Sequence, residues 1–343
     1  TGVQTCALPI FNFCYDTIEK NKHAFEEDDE HRLMIDVSRG LLGIYDGIEG
    51  LHSGPNLIIA DFPLRWTVRN MGKLFDEGIV NCRDHVVRML QAIANGQQNV
   101  LPVTNIEVTI EDDGTITMLN DGNGIDVAEH PEHKIWIPEM IFGHFRSSSN
   151  YKDNGKIVGG RNGFGAKLTN VFSTEFVLET IDSVNGKYYN QVFTNNMRDK
   201  TKPIVKDSTK DSYTKISFIP EYSRFGFKSL TSDTIALFSK RVYDLAICTN
   251  KNVTVYLNDN KINCKDFPKY VKMYYNSEPK SLTLYETGTR WKLGAIFDTN
   301  AGACNMSFVN GICTYNGGTH VKYILDQICD GLIEIIKKKN NKK

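Results

Sequence analysis

Apolar residues recur along residues 70–95, NMGKLFDEGIVNCRDHVVRMLQAIAN, at the three- and four-residue spacing of a helix. Met71, Phe75, Ile79, Cys82, Val86, Met89 and Leu90 fall on one face. Glu77, Asn81 and Asp84 stand at i, i+4 and i+7. A step of about 100° per residue puts these three within about 60° of one another, opposite the apolar stripe. A solvated polar face explains such a set. A carboxylate and a carboxamide one turn apart, with a second carboxylate beyond, also suit a site that holds a cation and a water together.

The period then changes to two. Ile106, Val108 and Ile110 alternate, Asp113-Gly114 follows, and Ile116 and Met118 resume the alternation. This predicts a β-hairpin that runs into Asn120-Asp121-Gly122-Asn123-Gly124. Glycines at alternate positions past a strand end let the backbone bend around a flat ligand, or simply make a turn. WIPEMIFGHF predicts a short helix with Pro138 in its first turn. FVLETI, KYYNQVFT and TKISFIP read as strands, and residues 234–249 as a helix. NVTVYLNDNKI reads as a second hairpin turning at Asn258-Asp259-Asn260. RWKLGAIF, MSFVNGICTY and a final helix, HVKYILDQICDGLIEIIKKK, complete the chain, and a domain boundary is expected near residue 262.

Between the short helix and FVLETI lies GGRNGFGAKLTN, residues 159–170. A P-loop needs Lys directly after its last Gly and then Ser or Thr. Here Ala166 follows Gly165, Lys167 comes one residue late, and Leu168 stands in the Ser/Thr position. The dinucleotide fingerprint fails as well, since Gly163-x-Gly165-x-x ends on Leu168. The polar run before it, RSSSNYKDNGK, suits a loop that opens a helix. Backbone N–H groups there suit an anion. A plain glycine-rich loop is the alternative.

Composition narrows the partners. The chain has 343 residues, is 41% hydrophobic and 24% charged, and carries a net charge of −1. This fits roughly two globular domains and gives no global basic field for nucleic acid. Its eight Cys are scattered, as expected of reduced intracellular thiols. No apolar run approaches the length of a membrane span, so no membrane partner is expected. TGVQTCALPI, residues 1–10, reads as a translated library adapter and is set apart from the fold.

The order of these features is more specific than any one of them. A helix carries Glu-x3-Asn, a strand ends in x-x-Gly-x-Gly, a Ser/Asn-rich lid follows, and a glycine loop opens a helix. This resembles the Bergerat (GHKL) ATP-binding fold of gyrase, heat-shock chaperone, histidine kinase and mismatch-repair ATPases. LFDEGIVNCRD, IPEMIFGHFRSSSNY, GGRNGFGAKLTNVFST, RVYDLAICT and SFVNGICTYNGGTHV resemble the ATPase region of eukaryotic-type type IIA DNA topoisomerases, a type that viral and protist enzymes share. The likeness covers about residues 70–343.

The resemblance implies an α/β fold of α+β two-layer-sandwich type. A Bergerat ATP-binding domain would occupy residues 11–262. Part of a ribosomal-S5-domain-2-like transducer domain would occupy 263–343. ATP and Mg²⁺ are the implied cofactors. Glu77 would be the general base, and Asn81 would ligate Mg²⁺ through its amide oxygen. Asn120 would face the adenine amino group, with Asp121 as a rival register. Ser148, Ser149 and Asn150 would reach ribose and phosphate oxygens. Gly160, Arg161, Asn162, Gly163, Phe164, Gly165, Ala166 and Lys167 would supply the phosphate cradle, with Lys167 near the phosphates. Asp84 would orient neighbours or form an ion pair. The implied partners are DNA, through the full-length enzyme, and a second copy in a homodimer. The implied location is intracellular: the nucleus for a cellular protein, a host cell or virion for a viral one.

Two family features are not visible. No R-P-D-T-Y-I-G-S-like run appears in residues 11–55, and no Q-T-K occurs, so the lysine that reaches the γ-phosphate from the second domain is expected to lie outside this sequence. A nucleotide-binding switch without turnover, or another ATPase of the superfamily, are the alternatives. NGGTHV disfavours the latter.

Overall fold

The computed structural model describes residues 64–145, 147, 158–160, 163, 165–264, 266–274, 282–287, 291–296, 305–314 and 317–340. The first described element is a long helix, α1 (Leu64–Ala94). A hairpin follows, β1 (Asn105–Ile110) and β2 (Ile116–Asp121), with Ile110 opposite Ile116. Its connection is longer than the two-residue turn read from Asp113-Gly114. Glu111 and Thr115 close the loop, and Gly114 takes a φ of 92°. Two short helices come next, α2 (Ile137–Gly143) and α3 (Gly165–Val171).

The chain then lays down β3 (Ser173–Asp182), β4 (Lys187–Thr194), β5 (Asp199–Lys200), β6 (Ile204–Asp207) and β7 (Tyr213–Pro220). Helix α4 (Ser232–Cys248) begins on a Thr231 side chain that caps the Thr234 N–H. Strands β8 (Thr254–Leu257) and β9 (Asn260–Lys261) form the second expected hairpin. Asn258 and Asp259 both have positive φ, the signature of a two-residue turn, so Asn260 already belongs to the strand.

These strands make one sheet in the order β5-β4-β3-β7-β2-β1-β8-β9, with β6 also on β4. All neighbours are antiparallel except β1 and β8. Burial alternates along β2 and β7, so a single face of the sheet is fully covered. Ile106, Val108, Met118, Ile216, Phe218, Phe176, Leu178 and Phe193 form that face, and helix residues Phe75, Ile79, Phe238 and Val242 close the core over it. The result is a mixed α/β fold in two layers. The large sheet ends at Lys261, but Cys264 and Tyr270 still join its core.

The rest comprises α5 (Phe267–Lys272), the pair β10 (Leu282–Thr287) and β11 (Trp291–Ile296), the small hairpin β12 (Phe308–Val309) and β13 (Ile312–Cys313), and α6 (Thr319–Asn340). On α1 the apolar stripe is buried as expected from Met71 to Val86, but Leu90 is exposed. The opposite face is not simply solvated either: Asp84 is only 3% exposed.

Candidate functional site

What buries Asp84 is the glycine loop. Its two carboxylate oxygens accept the Gly159 and Gly160 N–H groups, each at 2.7 Å. Arg83 Nη1 also reaches Asp84, at 3.4 Å. At the far end of the loop, a Cβ on Gly165 would lie 2.2 Å from Glu77 Oε2. Seven helical residues span about 10 Å. The loop therefore meets the polar face of α1 at both ends, at Asp84 through Gly159 and Gly160 and at Glu77 through Gly165, and Asn81 sits half-buried between those two residues.

The middle of the loop is fixed from the other side. Gly163 has a φ of 68°, and a Cβ there would meet the Ser147 backbone at 2.6 Å. Ser147 is itself anchored, its Oγ donating to the Met140 carbonyl at 2.8 Å. Lys167, in the first turn of α3, donates to the Ser147 carbonyl at 3.2 Å. It is almost wholly buried, and burial pushes its ammonium down to about 8. Arg161, Asn162, Phe164 and the lid residues Ser148, Ser149 and Asn150 lie outside the described residues. Gly160 and Ala166 are in place, beside Asp84 and against the core respectively.

The end of β2 separates the two candidate residues for base recognition. Asp121 accepts four hydrogen bonds, from N and Oγ1 of Thr104 and from N and Nδ2 of Asn105, at 2.5–2.9 Å. It is saturated by the start of β1. Asn120 is buried on the opposite face, with Met118, which packs on Gly78 of α1. Its amide donates to the Asp121 carbonyl at 2.9 Å. Gly124 has a φ of 75° and lies against the Ile181 carbonyl, where any Cβ would come within 1.9 Å. That glycine is required by a strand approach, before any ligand is considered.

Two features escaped the sequence reading. His85 stands one turn beyond Asn81, and its buried Nε2 has no hydrogen-bond partner among the described residues. It lies 3.6 Å from where a Gly122 Cβ would be, and burial lowers its ring to about 4, so it is neutral at pH 7. The i+4 spacing from Asn81 was there to be read.

The second is a buried charge cluster behind the site. Arg241 of α4 donates through Nε to Asp76 and through Nη1 to Asp244. Lys240 donates to Asp244 at 2.6 Å, and Tyr270 OH does so at 2.5 Å. Burial opposes the charge on Asp244, but Lys240 and Arg241 outweigh it and hold the carboxyl below its ordinary range. Breaking such a buried pair on one side costs about 3–5 kcal/mol.

The chain is similar to known proteins in sequence and in fold. Residues 252–343 match the DNA gyrase B family model. The ATPase region of Saccharomyces cerevisiae topoisomerase II is 40% identical, with a TM-score of 0.70, over 78% of this chain and 68% of that one. The chain belongs to the ATPase region of the type II DNA topoisomerases. The ATPase and transducer domains of DNA topoisomerase II from Balamuthia mandrillaris are 37% identical, with a TM-score of 0.71, over 79% of this chain and 67% of that one. DNA topoisomerase 2 of Acanthamoeba polyphaga mimivirus is 47% identical over 280 residues, 80% of this chain and 21% of its own length. The chain thus spans about a fifth of that curated relative. The topoisomerase II fold and family implied by the motifs are both found. The mixed α/β fold with its large sheet matches that of the ATPase region.

Proposed function

We propose that the chain binds ATP with Mg²⁺ between α1 and the glycine loop and hydrolyses it, as the ATP-operated gate of a type II DNA topoisomerase. Closure as a homodimer would capture a DNA segment, and hydrolysis would release the gate. One observation carries the reading: the glycine loop meets the polar face of α1 at both ends, held by Asp84 at Gly159 and Gly160 and meeting Glu77 at Gly165. This supports a site in which backbone N–H groups of the loop, a carboxylate and an amide oxygen face the same ligand.

Glu77 is the general base of this proposal, within the loop's reach and able to orient a water. Asn81 offers one hard oxygen to Mg²⁺. Among the described residues no cluster of three or more His, Cys, Asp or Glu could hold a metal. This suits an ion carried mostly by phosphates and water. When bound, Mg²⁺ neutralises phosphate charge. Gly160 to Lys167 receive the phosphates, Ser148, Ser149 and Asn150 the ribose and phosphate oxygens, and Asn120 the adenine amino group. The saturation of Asp121 supports Asn120 over its neighbour. The net charge of −1 leaves DNA to local contacts or to other domains. No helix of the described residues is long and apolar enough to cross a membrane. The division near 262/263 into an ATP-binding and a transducer part belongs to the same reading.

Asn81→Ala tests it by calorimetric titration with an ATP analogue and Mg²⁺. The affinity should fall by about tenfold or more, a charge-assisted contact being worth about 1.5–3 kcal/mol. It should then match the value measured with chelator. Wild-type affinity in the variant contradicts the site.

A further inference from the structure

Asp76 and Glu77 are consecutive on α1 and point about 100° apart. Glu77 faces the glycine loop, while Asp76 faces α4 and takes the Arg241 Nε–H. The two helices are locked together along this edge. A Cβ on Gly72 would lie 2.6 Å from Leu237 Cδ2. One turn on, the Phe75 and Phe238 rings stack with centroids 4.2 Å apart and planes 4° from parallel. Beside it lies the Asp76–Arg241 ion pair, Asp76 following Phe75 directly and Arg241 standing three residues after Phe238.

Arg241 has no freedom of its own. It is fully buried, its Nη1 is bound to Asp244, and its guanidinium lies 5.6 Å from the Phe308 ring of β12. Asp244 is held in turn by Lys240 and Tyr270. Lys240 Nζ also lies over Phe308, at 5.5 Å, and 3.3 Å from Met306 Sδ. The hairpin that carries Phe308 reaches the start of the glycine loop as well, since Asn310 Nδ2 donates to the Val158 carbonyl at 3.4 Å.

We infer that Arg241 is a positioning residue for Glu77: through Asp76 it fixes the local setting of the α1 turn that carries Glu77, and it is itself set by Asp244 and the β12–β13 hairpin. The magnitude is sufficient. A carboxylate rides at about 5–6 Å from a helix axis, so a rotation of about 10° moves it by about 1 Å. A misplacement of that size costs up to about a hundredfold in rate. The loop is held at Asp84, about two turns further along α1, and at Ser147 outside α1, so a shift confined to the Asp76–Glu77 turn should leave its nucleotide-binding groups in place. The inference rests on the proposed role of Glu77.

The test uses Arg241→Lys, which keeps the charge but loses the fork that spans two carboxylates. Asp76→Asn, nearly isosteric, carries the same prediction should the buried Lys prevent folding. Each variant should turn over ATP about ten- to a hundredfold more slowly per bound site, with nucleotide affinity within about twofold of wild type. In a Glu77→Gln background neither should lower the residual rate further, because the group they position is gone. A merely structural role gives the same factor in both backgrounds, with affinity falling alongside. That result, or unchanged turnover in both single variants, overturns the inference. If Glu77→Gln alone leaves the rate unchanged, the proposed function fails instead, and the inference fails with it.

Discussion

Lys167 shows how one side chain ties burial to ligand chemistry. Water is withdrawn from its ammonium, and among the described residues it donates to a backbone carbonyl, that of Ser147. Its folded value of about 8 lies below the unfolded value of about 10.4. Between those values the unfolded chain holds more protons, so this residue makes stability rise with pH across that window. A phosphate group beside Lys167 reverses the preference, because it favours the charged form. Above pH 8, ATP binding should therefore take up close to one proton, and affinity should fall as pH rises, by up to about tenfold per unit. Calorimetry at pH 8.5 in buffers of different ionisation enthalpy measures the uptake, and Lys167→Met should abolish it. An equal heat in every buffer would place Lys167 away from the phosphates.

The glycine loop and α1 form a matched pair, and Gly165 is where they touch. A methyl group there meets only the far end of the Glu77 side chain. Gly165 opens α3 with an ordinary φ, and Ala is favoured over Gly in helices by about 0.8–1 kcal/mol. Gly165→Ala should therefore leave the melting temperature unchanged or higher while it displaces the Glu77 carboxylate. Turnover should drop by about tenfold or more, with ATP affinity retained. Comparing thermal melts with steady-state rates separates the two effects, and a variant that melts lower at full activity would refute the contact.

Such pairings were only half legible in the chain. The 3.6-residue period of α1 and the alternation of β1, β2 and β7 follow from local covalent geometry, so each could be read directly. Asp84 was read as an orienting or ion-pairing group, but what it orients lies 75 residues downstream, and no local pattern records that. Leu90 failed for a similar reason: its apolar position is correct for the helix, but α1 outruns the core. The Lys240, Arg241 and Asp244 spacing was visible as i, i+3 and i+4 pairs on α4. Their burial was not, because surface pairs have the same spacing.

The whole molecule joins a large sheet, which carries the loop, to a C-terminal region whose β12–β13 hairpin touches both the glycine loop and the Arg241 cluster. A state change in the nucleotide site therefore has a packed route to the C-terminal region. β2, which carries Asn120, sits inside the sheet with β7 and β1 on either side, and its Met118 packs on Gly78 of α1. The account depends most on the claim that this assembly hydrolyses ATP with Glu77 as its base. Glu77→Gln tests that claim most directly, with nucleotide affinity and steady-state turnover measured on the same preparation. The account predicts ATP affinity near wild type and a rate lower by about 10²–10⁴. An unchanged rate in a variant that still binds ATP would contradict it.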